Sequence, residues 1–467
     1  MCGCRSICSL FHLGVGFSLV GFDPNRLPCI YIYRYITYAI SGLIGSTYVV
    51  KELGSRNALA FGMGLYCLYV FAFYVATNIT QHSTLVTVVT IGSLLGGWGA
   101  GFLWTAQGAY FTRAAQLYHY SHNHIGSSTY MQRPLSIENA TAKLASIFAV
   151  IYLSSEIGLR ALSTFALDVL KLSWSNLFAF YAVVAIVSTI LMIFVQKVRD
   201  DDTTTSTHAV DNMDSTPTSA LESTLETASI WYKATAAWRL LVQDPKMKYM
   251  IGLNAVFGFT SAFLTSYVNG TVVRYVLGSD TYVGLLTAWI SFVAAISSAL
   301  FGYVASTSQR KGYVLTIGAL CFMCVAGSFI VFPNVSSQQW NWWSLVGVYT
   351  LHGIGRATFE GTLKSTFADY FAYEKESAFA NIILQNGLSS AIGFALTFTL
   401  HCSARKQEIW GPYCVMNKDG SVHDVLTFEL LIVVTALLAI LGYHRASMIR
   451  SNEVSRIQYE NIPTTIV

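Results

Sequence analysis

Charged residues are scarce in this sequence. Only 11% of its 467 residues are Asp, Glu, Lys or Arg, whereas 54% are hydrophobic. A soluble globular domain carries roughly 25% charged residues. Most of the outer surface of this chain therefore lacks the groups that a surface in water requires. The composition excludes an ordinary soluble domain and indicates a chain that lies mostly in lipid.

Motifs for several functional classes are also missing. The formal net charge is +4, but no basic run with interleaved aromatic residues occurs, so no nucleic-acid partner is predicted. The nine cysteines lack the spacing of zinc ligands, and the sequence predicts neither a metal site nor a cofactor. It contains no P-loop, G-x-S-x-G or H-E-x-x-H motif, and we predict that the protein is not an enzyme.

Long apolar runs occupy most of the chain. A helix of about 20 apolar residues crosses the hydrocarbon layer, and a backbone in lipid must form its hydrogen bonds internally. The sequence therefore predicts an all-α membrane protein with twelve transmembrane helices. We refer to them as spans one to twelve: 6–22, 29–50, 57–77, 84–112, 140–167, 174–196, 247–269, 282–305, 312–332, 343–368, 378–401 and 424–444.

A polar segment divides the spans into two groups of six. Residues 199–228 are acidic and rich in Ser and Thr, a composition that predicts disorder. Residues 229–242 then mix Trp and aliphatic residues with Lys233 and Arg239, which predicts either an amphipathic helix on the membrane surface or the start of span seven. The predicted organisation is an amino-terminal half 1–198, a cytoplasmic linker 199–246, a carboxy-terminal half 247–444 and a cytoplasmic tail 445–467.

The orientation follows from the basic residues of the loops. Lys and Arg are concentrated in the segments that lie inside if both termini are cytoplasmic, and this bias predicts that orientation. Three glycosylation sequons, at Asn78, Asn269 and Asn334, then fall in predicted outer loops. Cys402 and Cys414 share the last outer loop, where they form either a disulfide or two free thiols. The predicted location is the plasma membrane or an endosomal or lysosomal membrane.

Span ten carries an unusual stripe of ionisable residues. His352, Arg356, Glu360 and Lys364 recur every four residues, so they lie on one face of a helix. A charge inside a bilayer costs at least about 2.5 to 3.5 kcal/mol, which requires this face to point toward the bundle interior or a water-filled cavity. The spacing permits i,i+4 ion pairs between Arg356 and Glu360 and between Glu360 and Lys364.

Two interpretations of this stripe remain open. In the first, Glu360 couples transport to protons or contacts a substrate, with Arg356 and His352 setting its electrostatic surroundings. In the second, the paired charges lock the bundle in one state.

Span five repeats the i,i+4 pattern with Glu156 and Arg160. Two further basic residues, Arg34 and Lys143, lie near predicted membrane edges, where we expect them to snorkel.

Uncharged polar residues and small residues also occur inside the spans. Four amides either line a cavity or form hydrogen bonds between helices: Gln107 in span four, and Asn381, Gln385 and Asn386 in span eleven. Span four also contains the small-xxx-small pairs Gly92/Gly96 and Gly97/Gly101, which predict a close approach of a neighbouring helix.

Three stretches carry a family resemblance. They are KELGSRNALAFG (51–62), GFLWTAQGAYFT (101–112) and the run GIGRATFEGTLKSTFADYF…ESAFANIILQNGLSSAIGF (353–394). Together they resemble the uncoordinated-ninety-three (Unc-like) family, a branch of the major facilitator superfamily. The KELGSR segment lies between spans two and three, where that superfamily keeps a Gly-rich turn with a basic residue.

The resemblance implies a major facilitator fold with two six-helix halves. It also implies an accessory function: members of the family resemble regulatory subunits of potassium channels or trafficking escorts of receptors. The fold and the charged span ten support an alternative, a proton-coupled secondary transporter of a small solute or ion. The expected partners are therefore the lipid bilayer and either another membrane protein, such as a channel or receptor, or protons and a small solute.

Overall fold

A computed structural model describes residues 27–125, 135–196, 230–279, 281–308, 310–335, 339–399, 414–416 and 422–460. Predicted span one, Cys402 and residues 199–228 of the linker lie outside the described residues. The side chain of Cys414 also lies outside the described part of the chain, so the alternatives of a disulfide or two free thiols stay predictions.

The helices of the amino-terminal half follow the predicted spans. They are Leu27–Leu43, Ser46–Ala76, His82–Ile125, Ile137–Thr164 with a π-helical extension Phe165–Val169, and Trp174–Ile193. Three short helices come next, Ile230–Ala234, Ala236–Gln243 and Pro245–Tyr249.

In the carboxy-terminal half, two of the spans include π-helical segments. They are Ile251–Phe263, π segment Leu264–Val272, Val273–Leu277, Thr281–Ser308, Lys311–Val331, Trp342–Ala357, π segment Thr358–Leu363, Lys364–Tyr370, Lys375–Thr399 and Leu426–Glu460. A 3-10 turn covers Ala372–Glu374, and two antiparallel strands, Cys414–Met416 and Val422–Asp424, precede the last helix. The first part of the predicted tail is therefore helical.

Nine helices of the described residues are long and apolar enough to cross a membrane. Two further spans are described. Span two lies in the 17-residue helix Leu27–Leu43, and span ten is interrupted by a π segment and carries several charges. Together these are eleven of the predicted twelve spans. The prediction of an all-α, multi-pass membrane protein is confirmed, with the two short strands as its only described sheet.

Local sequence signals set several helix boundaries. Ser136 and Ser173 accept hydrogen bonds from backbone amides of the helices that they begin. Asn341 and Ser344 form a reciprocal capping box at the start of span ten. Gly54, within KELGSR, interrupts the helix that starts at Ser46 with φ 73° and ψ 155°, a conformation that a side chain would strain. This break separates span two from span three.

The two halves pack along two main seams. Span five lies against span eight, and span two lies against span eleven. In the second seam the rings of Tyr31 and Tyr35 stack on Phe394, with centroid distances of 4.9 and 5.5 Å. The seams bring residues of both halves together around the middle of the bundle, where the charged residues of span ten lie.

The short helices after residue 229 form contacts with both halves. Lys233 pairs with Glu52 of the amino-terminal half at 2.7 Å, and the Asn381 amide of span eleven donates to the carbonyl of Ala237. The rings of Trp231 and Trp238 are exposed. The segment therefore forms short helices, and its position on the membrane surface stays a prediction.

Candidate functional site

A cavity of about 80 Å³ lies between the two halves. Most of its lining is aromatic or ionisable: Tyr35, Tyr38, Tyr66, Trp104, Tyr152, Phe257, His352, Arg356, Phe359, Glu360, Lys364, Phe379 and Asn386. Since roughly 10 to 15 Å³ of such space already holds one water molecule, the cavity has room for several waters.

The charged stripe of span ten lines this cavity. His352, Arg356, Glu360 and Lys364 are all at least 93% buried and all line the cavity. The π segment Thr358–Leu363 carries Glu360. Because π-helical turns inside α-helices often occur at functional sites, this irregularity is a second feature that marks the middle of span ten.

Arg356 forms an ion pair that the sequence did not predict. Its Nη2 lies 2.6 Å from Oε2 of Glu156, a residue of span five in the other half. The same carboxylate accepts from Arg160 at 2.9 Å. Glu156 is completely buried, so one carboxylate holds two guanidinium groups away from water and joins the two halves. We call Glu156, Arg160 and Arg356 the ion bridge.

Two hydroxyl groups of span eight extend the ion bridge. Ser291 donates to Glu156 at 2.8 Å, and Arg160 donates to the hydroxyl oxygen of Thr287, also at 2.8 Å. Span eight belongs to the carboxy-terminal half, so each residue of the Glu156–Arg160 pair has a partner across the seam. These contacts give the bridge the additional hydrogen bonds that a buried ion pair requires.

Glu360 forms the second predicted i,i+4 pair. Its carboxylate accepts from the ammonium group of Lys364. The ammonium also lies 4.2 Å from the ring centroid of Trp104 in span four of the other half, within the range of a cation–π interaction. Two cations of span ten therefore contact the amino-terminal half, Arg356 through the Glu156 carboxylate and Lys364 through the indole ring of Trp104.

Arg34 does not snorkel as predicted. It is 98% buried, donates to the hydroxyl of Tyr66 at 3.1 Å and lies 5.0 Å from the ring centroid of Tyr69. The two tyrosines of span three hold the guanidinium inside the bundle. The position of Arg34 near the end of span two gave no sign of these contacts. Lys143, by contrast, is exposed and donates to the hydroxyl of Tyr118.

The predicted polar candidates separate into two groups. Asn386 lines the cavity. Asn381 donates to backbone carbonyls, and Gln385 accepts from the Asn254 amide at 2.6 Å, so both form hydrogen bonds between helices. Gln107 is buried in span four and is not part of the described cavity lining. The tyrosines of the lining were not predicted, because nothing in the sequence distinguishes them from the other 23 tyrosines.

Further ion pairs join the halves at the predicted cytoplasmic end. Lys51 pairs with Glu374 at 3.0 Å, and Arg113 pairs with Glu376 at 3.3 Å. Asp369 accepts from Thr141 of span five as well as from Lys311. The KELGSR turn supplies Lys51 and also Ser55, whose hydroxyl accepts from Arg113. This end of the bundle is therefore closed by contacts between the halves.

The sequons differ in accessibility. Asn78 and Asn334 are exposed. Asn269 lies within a π-helical segment of span seven rather than in a loop, is 92% buried and accepts a hydrogen bond from the Tyr349 hydroxyl. No space for a glycan exists at this side chain. Among the described residues, no group of three His, Cys, Asp or Glu side chains could hold a metal ion.

Comparison with protein families gives one match across most of the chain. Residues 10–396 match the Major Facilitator Superfamily. Two curated proteins are similar over shorter stretches. Protein unc-93 homolog A from Mus musculus is 26% identical over 159 residues, which are 34% of this chain and 33% of that protein. The Danio rerio protein of the same name is 25% identical over 198 residues, 42% of this chain and 41% of that protein.

The resemblance to the Unc-like branch is confirmed by these two relatives, although the matched stretches span less than half of either one.

Solved structures with the same fold cover nearly the whole chain. The proton:xylose symporter XylE, bound to 6-bromo-6-deoxy-D-glucose, has a TM-score of 0.62 and 14% identity, over 95% of this chain and 92% of that chain. The transporter FucP in the outward conformation has a TM-score of 0.60 and 11% identity, over 95% of this chain and 96% of that chain. A bacterial homologue of the iron transporter ferroportin in an outward-facing state has a TM-score of 0.58 and 13% identity, over 96% of this chain and 95% of that chain. At these identities the likeness concerns the fold alone.

Proposed function

Because the chain belongs to the Major Facilitator Superfamily and a buried ion bridge joins its halves, we propose that it is an accessory membrane protein. In this role it is a regulatory subunit of an ion channel or a trafficking escort for another membrane protein. The observation that carries the proposal is the Glu156 carboxylate, shared by Arg160 of its own helix and Arg356 of the other half. An accessory subunit, unlike a transporter, needs no rocking of one half against the other, so a bridge that holds the halves together suits this role.

The contacts at the predicted cytoplasmic end support the same role. Lys51–Glu374 and Arg113–Glu376 close this end of the bundle by pairing residues of the two halves. The similarity to protein unc-93 homolog A is compatible with an accessory role. We propose that both termini are cytoplasmic, that Asn78 and Asn334 are glycosylated, and that the protein resides in the plasma membrane or an endosomal or lysosomal membrane.

An accessory protein is expected to purify with a stable partner. We expect one membrane protein in near-equal molar amount when the full chain is isolated from its own cells in mild detergent and quantified by mass spectrometry. Exposed apolar stripes on spans six and eight are candidate contact faces. The paired variants Val183→Ala/Ile190→Ala and Phe292→Ala/Leu300→Ala test these faces, which are both exposed in the structure.

Each stripe serves as the control for the other. Loss of the partner from one paired variant, with the other variant and the protein yield unchanged, identifies the contact face. If no membrane protein exceeds the background of an unrelated multi-pass protein, the accessory role is wrong.

Proton-coupled secondary transport is the second candidate. It is favoured by the position of Glu360, a buried carboxylate that lines the cavity next to Lys364, and by the transporters among the structural neighbours. Lys364 and Trp104 would hold the carboxylate in place, while His352 supplies a second titratable group on the same wall. In this role Glu360 gains and loses a proton as the cavity changes its access.

The variant Glu360→Gln tests this candidate. We reconstitute the protein in liposomes containing a pH-sensitive dye and add small sugars, carboxylates and metal cations under a pH gradient. If Glu360 couples transport to protons, the solute-dependent proton flux falls at least about tenfold in Glu360→Gln. The control Glu138→Gln changes a carboxylate that does not line the cavity. Flux with an unchanged pH dependence in Glu360→Gln contradicts the coupling role.

A further inference from the structure

The three short helices between the two halves expose large apolar side chains. We call residues 230–249, which contain these helices, the linker strap. Trp238 and Val242 lie four residues apart on one face of their helix, and both are exposed. The buried residues of the same helix are Ala236, Ala237 and Leu240. The strap therefore packs on the bundle with small side chains and turns its large apolar side chains outward.

Tryptophan dominates this outward face. Trp231 is 73% exposed and Trp238 is 53% exposed, and Ile230 before them is exposed as well. Contiguous exposed apolar side chains mark a surface that contacts a partner or a membrane. Trp in particular is enriched where a membrane meets water, because its ring is apolar and its N–H is polar.

Two contacts fix the depth of the strap along the bundle. The carbonyl of Ala237 accepts from the side-chain amide of Asn381, the fourth residue of predicted span eleven, at 2.8 Å. Lys233 pairs with Glu52, which follows the end of predicted span two by two residues. Both partners lie where a span meets the membrane surface, so the strap lies at the depth of the lipid headgroups.

Exposed residues next to the strap are also apolar. Ile44 directly follows the helix of span two, Leu53 is the neighbour of Glu52, and both are exposed. The strap helices contact spans two and eleven and the helix Ser46–Ala76. On helices that cross a membrane, exposed apolar side chains face lipid. The outward face of the strap therefore continues a surface that already faces lipid.

The charge of the strap suits an anionic surface. Its charged residues are four basic and one acidic: Lys233, Arg239, Lys246, Lys248 and Asp244. Lys233 and Lys246 form ion pairs with carboxylates of the protein. Lys248 is exposed and Arg239 is partly exposed, so both can meet headgroup phosphates. Anionic lipids are concentrated in the cytoplasmic leaflet and attract basic residues beside a membrane span.

We propose that the linker strap docks on the leaflet at the predicted cytoplasmic end and binds anionic phospholipid there. Trp231 and Trp238 lie between the headgroups and the first acyl carbons, and Arg239 and Lys248 contact the headgroups. The occupant is a lipid surface rather than a protein, because the exposed face lies at the depth of the span ends and beside lipid-facing residues. The inference is independent of the accessory role, because its test uses only the purified chain and lipid.

Quenching of tryptophan emission by brominated phospholipid tests the docking. The full chain is placed in nanodiscs of phosphatidylcholine and phosphatidylserine that carry bromine either near the headgroup or near the end of the acyl chain. The strap emission is the difference between the wild type and Trp231→Phe/Trp238→Phe. We expect shallow bromine to quench it more than deep bromine, and we expect the opposite order for Trp98→Phe, since Trp98 is exposed in the middle of span four. Strap emission that shallow bromine does not quench overturns the proposal.

Hydrogen exchange of the strap tests the class of lipid. Exchange of peptides from residues 230–249 is followed by mass spectrometry in phosphatidylcholine nanodiscs with and without phosphatidylserine. We expect phosphatidylserine to slow exchange at least about threefold in the wild type, but not in Arg239→Gln/Lys248→Gln. The control Lys143→Gln/Arg310→Gln removes one Lys and one Arg that are exposed at the same predicted end, and it should keep the slowing. Equal exchange in both lipids for the wild type, or loss of the slowing in both variants, overturns the binding of anionic lipid.

Discussion

The variant Glu156→Gln is expected to destabilise the protein by about 3 to 5 kcal/mol, because removal of one partner from a buried ion pair leaves an uncompensated charge. Here the loss is larger than for a simple pair. Arg160 and Arg356 both bind this carboxylate, so the neutral amide weakens the contacts of two buried guanidinium groups at once. The measurement is thermal unfolding of the purified protein, followed by tryptophan fluorescence, together with the yield of protein extracted from membranes.

Two controls separate the ion bridge from a general effect of the substitution. Glu138→Gln makes the same chemical change at a partly exposed position at the start of span five, and we expect a change within about 1 kcal/mol. The double variant Glu156→Gln/Arg356→Met removes one negative and one positive charge, which restores the net charge of the bridge. We expect it to recover part of the lost stability. A Glu156→Gln protein as stable as Glu138→Gln would show that the bridge does not hold the halves together.

The positions of most spans that the structure describes could be predicted from hydropathy alone. Span nine is predicted at 312–332 and observed at Lys311–Val331, and span six is predicted at 174–196 and observed at Trp174–Ile193. A run of about 20 apolar residues has one stable arrangement in lipid, a helix that crosses it. The face of span ten was predictable for a related reason, since four ionisable residues on one stripe cannot face the lipid.

The contacts between spans could not be predicted in the same way. A spacing of four residues shows that two side chains share a helix face, but it does not show which helix lies opposite. Arg356 and Glu156 are 200 positions apart in the sequence, and their ion pair depends on the packing of span ten near spans five and eight. The ion bridge was therefore visible in the sequence only as two separate local patterns.

Arg34 shows a second limit of the sequence. Its distance from the end of span two suggested that the guanidinium reaches the membrane surface. The structure instead surrounds it with Tyr66 and Tyr69 of span three. Tyrosine is abundant in the chain, with 27 residues, and most tyrosines in a membrane protein pack or anchor it at the interface. Only the packing distinguishes those that surround a charge.

Gly97→Ala is expected to destabilise the protein by about 1 to 3 kcal/mol, the usual cost of overpacking a close contact. A Cβ atom at this position would lie 2.0 Å from the Thr37 hydroxyl oxygen and 2.5 Å from the backbone carbonyl oxygen of Arg34. The side chain of Thr37 can rotate, but the carbonyl belongs to the helix of span two, so spans two and four must move apart. Such a movement also displaces Arg34 from Tyr66.

Gly64→Ala provides a control with the opposite sign. No atom lies within 4 Å of a Cβ built at Gly64, so no clash opposes the substitution. Alanine is favoured over glycine in a helix interior by about 1 kcal/mol, and we expect the stability of Gly64→Ala to be unchanged or slightly higher. Thermal unfolding of the two variants in the same detergent compares one added methyl group at two sites. If Gly97→Ala unfolds at or above the temperature of Gly64→Ala, spans two and four do not pack as closely as the structure places them.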